Sequence, residues 1–101
     1  MTKYIIISRL TDDGAKTLKR NSSRIKEVNK EVEKMGVTIL SQYALLGAYD
    51  FVNIIEAPSD EVAAKIAIRL SATGAVQPLT LAAISLDRLI EALKEEPRTP
   101  W

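Results

Sequence analysis

The sequence predicts an α+β fold whose elements run strand, helix, strand, strand, helix, strand, with an additional C-terminal helix. Three observations predict it. Runs rich in β-branched and aromatic residues, each of strand length, occur at Tyr4-Ile5-Ile6-Ile7 and at Phe51-Val52-Asn53-Ile54-Ile55. Other segments carry apolar residues in steps of three and four, as on one face of a helix. Gly36, Gly47 and Gly74 fall between these segments, where helix ends and turns use glycine. The order is ferredoxin-like, with a four-stranded antiparallel sheet.

The first strand is expected from Lys3 to Leu10, ending at the helix-start signal Thr11-Asp12-Asp13-Gly14. Three consecutive isoleucines predict that both of its faces are buried. From Asp12 to Met35, the residues Leu18, Ile25, Val28, Val32 and Met35 fall on one helical stripe, interrupted by Asn21-Ser22-Ser23. An unbroken helix would run ~36 Å beside a strand of ~26 Å, overshooting the sheet. A break is therefore expected there, with Ser22 or Ser23 capping the second piece and Gly36 closing it.

Val37 to Leu45 and Tyr49 to Ala57 are expected to form an antiparallel hairpin turning at Gly47-Ala48, with a positive φ at Gly47. That register sets Leu46 opposite Tyr49, Leu45 opposite Asp50 and Tyr43 opposite Val52. One sheet face then collects Ser41, Tyr43, Asp50 and Glu56, and the other collects Gln42, Tyr49 and Asn53. The next helix opens at Pro58-Ser59-Asp60-Glu61 with Ser59 as N-cap, buries Val62, Ile66 and Leu70, and ends at Gly74. A fourth strand is expected from Leu79 to Ser85, then a helix with Leu86, Leu89, Ile90 and Leu93 on one face. Residues 1–96 read as a single domain and 97–101, which hold two prolines, as a C-terminal tail.

The chain has 101 residues, 47% of them hydrophobic and 27% charged, enough for one packed core and too few for two domains. The absence of cysteine excludes disulfides, thiolate nucleophiles and zinc-thiolate or iron-sulfur centres. The absence of histidine removes the commonest general base and transition-metal ligand. No cofactor and no metal is expected. A net charge of +1 gives no reason to expect nucleic acid or an anionic membrane as partner. The N-terminal apolar run stops at Arg9, too short for a membrane span and without signal-peptide organisation, so the expected localisation is cytoplasmic. Lys26, Lys30 and Lys34 line up on a helix but are interleaved with Glu27, Glu31 and Glu33, the pattern of a solvated face.

Chemistry concentrates around the hairpin. Tyr43 and Asp50 are diagonal neighbours in the expected register, close enough for a phenol to meet a carboxylate. Burial raises a carboxyl pKa and a hydrogen bond to the carboxylate lowers it, which is how a base is tuned without histidine. Asp50 is thus the candidate base, Tyr43 or Tyr49 the candidate donor, and Ser41, Asn53 and Gly47 the candidate ligand-binding set. The structural alternative has Asp50 securing the turn, the tyrosines in the core, and Asn53 bonded across the strands to Gln42.

At Leu46-Gly47-Ala48-Tyr49-Asp50 the chain resembles the GYD-domain family, grouped with the dimeric α/β-barrel superfamily. Leu10-Thr11-Asp12-Asp13-Gly14, Glu56-Ala57-Pro58-Ser59-Asp60-Glu61 and Thr80-Leu81 follow the family's order. The resemblance implies a ferredoxin-like dimer and brings no activity with it. The chain departs from the family pattern at Ala44, where an aromatic residue is usual, and near Ala75, Gln77 and Ala82, where polar or basic residues are usual.

Three functions follow as expectations: a dimeric module holding a small apolar metabolite in a sheet-lined cleft, a cofactor-free isomerase or oxygenase-like enzyme using Asp50 and a tyrosine, or an interaction protein without ligand. A homodimer or higher homo-oligomer is expected in each. Two long helical segments cover only one face of a four-stranded sheet, yet Tyr4 to Ile7 and Phe51 to Ile55 are apolar on both faces. Sheets packed face to face about a two-fold axis, tied by the tail ending in Trp101, would cover the second face.

Overall fold

In the computed structural model, which describes residues 1–95, the chain forms β1 (Thr2–Leu10), α1 (Asp12–Arg20), α2 (Arg24–Glu33), β2 (Thr38–Ala44), β3 (Phe51–Ala57), α3 (Asp60–Ala72), β4 (Val76–Ala83) and α4 (Leu86–Lys94). The strands lie in the order β2-β3-β1-β4, every neighbouring pair antiparallel. This is the ferredoxin-like arrangement with the additional C-terminal helix. The sheet is open, its edges being β2 and β4. The expected tail, including Trp101, lies outside the described residues.

The helix breaks where its length requires. Ser23 takes the N-cap position of α2, but its hydroxyl donates to Asn21 Oδ1 at 2.6 Å and makes no capping bond, which corrects the expected cap. Ser59 does cap α3, accepting from Val62 N–H at 3.3 Å, and Ser85 caps α4, accepting from Arg88 N–H at 3.2 Å. The fourth strand begins at Val76, three residues before the expected start, with Pro78 inside it. Proline removes a donor, and β4 tolerates it because it is an edge strand.

Tyr4, Ile6 and Ser8 of β1 face the helices and are buried, whereas Ile5 and Ile7 on the other face are half-buried. Burial on both faces is therefore not achieved within one chain. On the helix side, Tyr4, Ile6, Ile55 and Ala57 pack with Val32, Val37, Ala63 and Ile66 as the core. All eight lie where β1 begins and β3 ends, under the C-terminal part of α2 and the N-terminal part of α3. The opposite half of the helix side is much less filled.

Leu40 is the extra residue of a β-bulge: Ile39 pairs with Ile55, whereas Ser41 pairs with Ile54. Without it Ile39 would sit on the uncovered face. The bulge turns Ile39 onto the core and leaves Leu40 exposed.

On the uncovered face Leu79, Leu81 and Tyr43 are 45%, 43% and 61% exposed, around the half-buried Ile5, Ile7, Val52 and Ile54. The Cα radius of gyration is 16.7 Å, against about 13 Å for a compact domain of this size. The excess reflects α4, which stands away from the body with Leu86, Leu89, Ile90 and Leu93 all exposed. It does not fold back over the sheet.

Candidate functional site

The helix-side space left by the core is a cleft of about 380 Å³. Its floor comes from the helix face of the sheet, with Ser8, Phe51 and Asn53, and its walls from α1, α2 and the C-terminal end of α3. It exists because the residues around it are small or diverge. Ala44 and Ala75 offer no bulk, and the break between α1 and α2 separates Leu18 from Ile25, which is itself exposed.

Across the floor runs a chain of amides. Asn29 and Gln42 exchange two hydrogen bonds, Nδ2 to Oε1 at 2.7 Å and Nε2 to Oδ1 at 2.8 Å. Gln42 Nε2 also donates to Asn53 Oδ1 at 2.7 Å, so the cross-strand Gln42–Asn53 bond expected from the register is present. In this network Asn53 is only an acceptor. Its Nδ2 makes no hydrogen bond among the described residues, and Ser8, two residues along β1 from the Ile6 that pairs with Asn53, shares the cleft floor. Ser8 is 3% exposed. Arg24 at the rim already pairs with Glu27 at 3.0 Å and Glu31 at 3.9 Å.

The sequence-derived candidates are dispersed over this frame. The hairpin is wider than a two-residue turn: paired strand ends at Ala44 and Phe51, followed by one bond from Leu45 N–H to Asp50 C=O at 2.7 Å. The expected Tyr43–Val52 pairing holds. Ser41 and Tyr43 pair with Ile54 and Val52 of the uncovered sheet face, Tyr43 also bordering the cleft, and Asn53 lies on the helix side. Asp50 is held by backbone: its Oδ2 accepts from Leu10 N–H at 2.7 Å and its own N–H donates to Ser8 C=O at 2.9 Å. Its carboxylate thus fastens the hairpin to the end of β1. The Arg9 guanidinium lies over the Tyr49 ring, 4.9 Å from its centroid. Gly47 sits at the hairpin tip with φ +127°.

Asn29 and Ser8 are cleft residues the sequence reading passed over. Asn29 carried a usable signal: it occupies the i+4 position from Ile25, inside the apolar stripe that continues to Val32, where a polar residue requires a partner. Ser8 carried only its even-numbered place beside Tyr4 and Ile6.

The GYD-domain family model matches residues 4–93, nearly the whole described chain. The protein belongs to the GYD-domain family. One relative of this GYD domain, from Thermus thermophilus, is 48% identical over 95 residues, covering 93% of this chain and all of that one. It is named a glutamine synthetase and cystathionine beta-lyase binding protein. Among solved structures, the crystal structure of MtbAldR matches with a TM-score of 0.60 at 18% identity, over 83% of the GYD domain. The domain spans 53% of that longer chain, so the likeness speaks for the fold alone. Among the described residues no helix is long and apolar enough to cross a membrane, and no group of three or more acidic side chains is placed to hold a metal ion.

Proposed function

We propose that this GYD domain is a non-catalytic binding module that works as a two-fold dimer and docks on metabolic enzymes. The observation that carries the dimer is the uncovered apolar sheet face around Leu79 and Leu81, both more than two-fifths exposed. A second copy placed sheet to sheet removes that face from water and gives the stripe of α4 a surface to lie on. The two open sheets then enclose the barrel of the dimeric α/β type. The name of the Thermus thermophilus relative supports enzyme docking and points to glutamine synthetase and cystathionine beta-lyase as the first partners to try. A cytoplasmic setting belongs to the same reading.

Binding is favoured over catalysis because the Asp50 carboxylate is engaged by Leu10 N–H, and no second acidic or basic side chain of the described residues hydrogen-bonds to it. The isomerase or oxygenase-like alternative needs a phenol donor beside that carboxylate, and neither Tyr43 nor Tyr49 hydrogen-bonds to it among the described residues. Binding of a small apolar molecule has a specific observation in its favour, the cleft with its amide floor.

Sedimentation at micromolar concentration tests the dimer, and immobilised dimer exposed to each purified enzyme tests the docking. The wild type is expected to sediment as a dimer and to retain at least one enzyme, whereas Leu81→Glu is expected to be monomeric. A folded wild-type monomer would overturn the assembly, and a dimer that retains neither enzyme would remove the named partners.

A further inference from the structure

We infer that the helix-side cleft is a binding site for a small neutral molecule with an apolar body and one carbonyl-type acceptor, such as an aryl ketone, amide or lactone. This rests on the small-molecule part of the proposed function and is independent of the dimer and of enzyme docking.

Packing leaves the cleft open. A core of eight buried residues fills one end of the helix side, while the other end holds about 380 Å³ of open space. Protein interiors pack at crystal density, and space left between apolar walls forfeits contacts that a filled core would make. A domain of 101 residues has little burial to spare. The volume lies within the range of about 300–1,000 Å³ typical of small-molecule sites.

The floor of the cleft is polar. Asn29 and Gln42 satisfy one another, and Gln42 holds the Asn53 oxygen, which fixes the plane of that carboxamide. The free end of Asn53 is therefore its Nδ2, a donor. Ser8, diagonal to it on the neighbouring strand, adds a hydroxyl that can also donate. Two neutral donors on one floor, diagonal across neighbouring strands, call for an acceptor on the ligand.

Charge disfavours an anion at the floor. Among the described cleft residues the cation is Arg24, at the rim and already paired with Glu27 and Glu31. A carboxylate at the floor would lose its hydration without gaining a counter-ion, which is costly. A ketone or amide oxygen loses less and takes the same two hydrogen bonds.

Three probes of similar shape separate these terms: acetophenone, benzoate and ethylbenzene. Each is titrated into the full chain while the backbone and Asn side-chain amide resonances are followed. Acetophenone is expected to shift the Ser8, Asn29 and Asn53 signals and to bind at least about 5-fold more tightly than either other probe, the worth of about one neutral hydrogen bond. Asn53→Leu should abolish that preference while ethylbenzene binding persists, which shows that the cleft is intact. Ala44→Leu, which adds bulk at the edge of the floor, should weaken acetophenone and ethylbenzene together. Equal affinity for acetophenone and ethylbenzene overturns the carbonyl specificity. Tightest binding by benzoate overturns the neutral-ligand assignment in favour of an anion at Arg24. Shifts confined to residues outside the cleft, or none, overturn the site itself, and leave the dimer and the enzyme partners to their own tests.

Discussion

Gly14 lies against the main chain of Ala75 so closely that a β-carbon added to it would sit 2.0 Å from the Ala75 carbonyl oxygen. The same oxygen accepts from Thr11 N–H at 2.9 Å, and the Thr11 hydroxyl donates to Gly74 C=O at 2.5 Å while accepting from Gly14 N–H at 3.0 Å. The start of α1 is thus fastened to the turn between α3 and β4, and both segments form one wall of the cleft.

Gly14→Ala should consequently destabilise the domain although alanine is the better helix former. The gain in helix propensity is about 1 kcal/mol at most. Backbone displacement by overpacking costs about 1–3 kcal/mol, occasionally more, and here the atom that must yield is main chain. Urea unfolding should show a lower midpoint for the variant; a raised midpoint would mean that α1 is free to move off the turn.

Gly47 presents the opposite case. Nothing lies within 4 Å of an added β-carbon, but its φ of +127° is a conformation side chains avoid. Gly47→Val should therefore cost about 1–3 kcal/mol through backbone strain alone. The loss is expected in chemical unfolding with an unchanged denaturant slope.

Asp50 fastens the hairpin to Leu10, so Asp50→Ala should cost about 1–3 kcal/mol by leaving that N–H without its charged acceptor. Asp50→Asn keeps an acceptor in place and should lose less. Hydrogen exchange at the Leu10 amide reports the bond directly. It should quicken most in Asp50→Ala, and unchanged exchange there would return Asp50 to candidacy as a functional base.

Tyr4 donates its hydroxyl to Asp60, tying β1 to the first turn of α3, and its pKa is raised above 10.0, first by that hydrogen bond and then by burial and the negative charge of Asp60. The folded state therefore favours the protonated phenol. Its contribution to stability is full below the unfolded value near 10 and is lost as pH rises through the folded one. Unfolding measured from pH 8 upward should show a steeper alkaline loss in the wild type than in Tyr4→Phe. Parallel curves would refute the linkage.

Much of this fold was legible because its signals are local. The β-branched runs at Tyr4 and Phe51, the length limit that breaks the helix at Asn21-Ser22-Ser23, and the Ser59 cap are each decided within a few residues. The Tyr43–Val52 register and the Gln42–Asn53 bond followed from strand alternation, which has a strict period of two. The candidate site was less legible. Alternation separates Asn53 from Ser41 and Tyr43 onto opposite faces, but nothing local indicates which face the helices cover or how well.

By itself the sequence determined the order of elements, the class of fold and the exclusion of thiol and imidazole chemistry, since these depend on residue type and short-range spacing. Only the tertiary structure decided that Asp50 is held by Leu10, that Asn29 joins Gln42 and Asn53, and that a cleft remains beside Ser8. Those partners are brought together by segments separated by 40, 13 and 11 residues in the three bonds concerned. The physical reason is that hydrogen bonds and voids depend on where helices settle on a sheet. That is set by the sum of packing contacts such as Gly14 on Ala75, a closeness that no local pattern encodes.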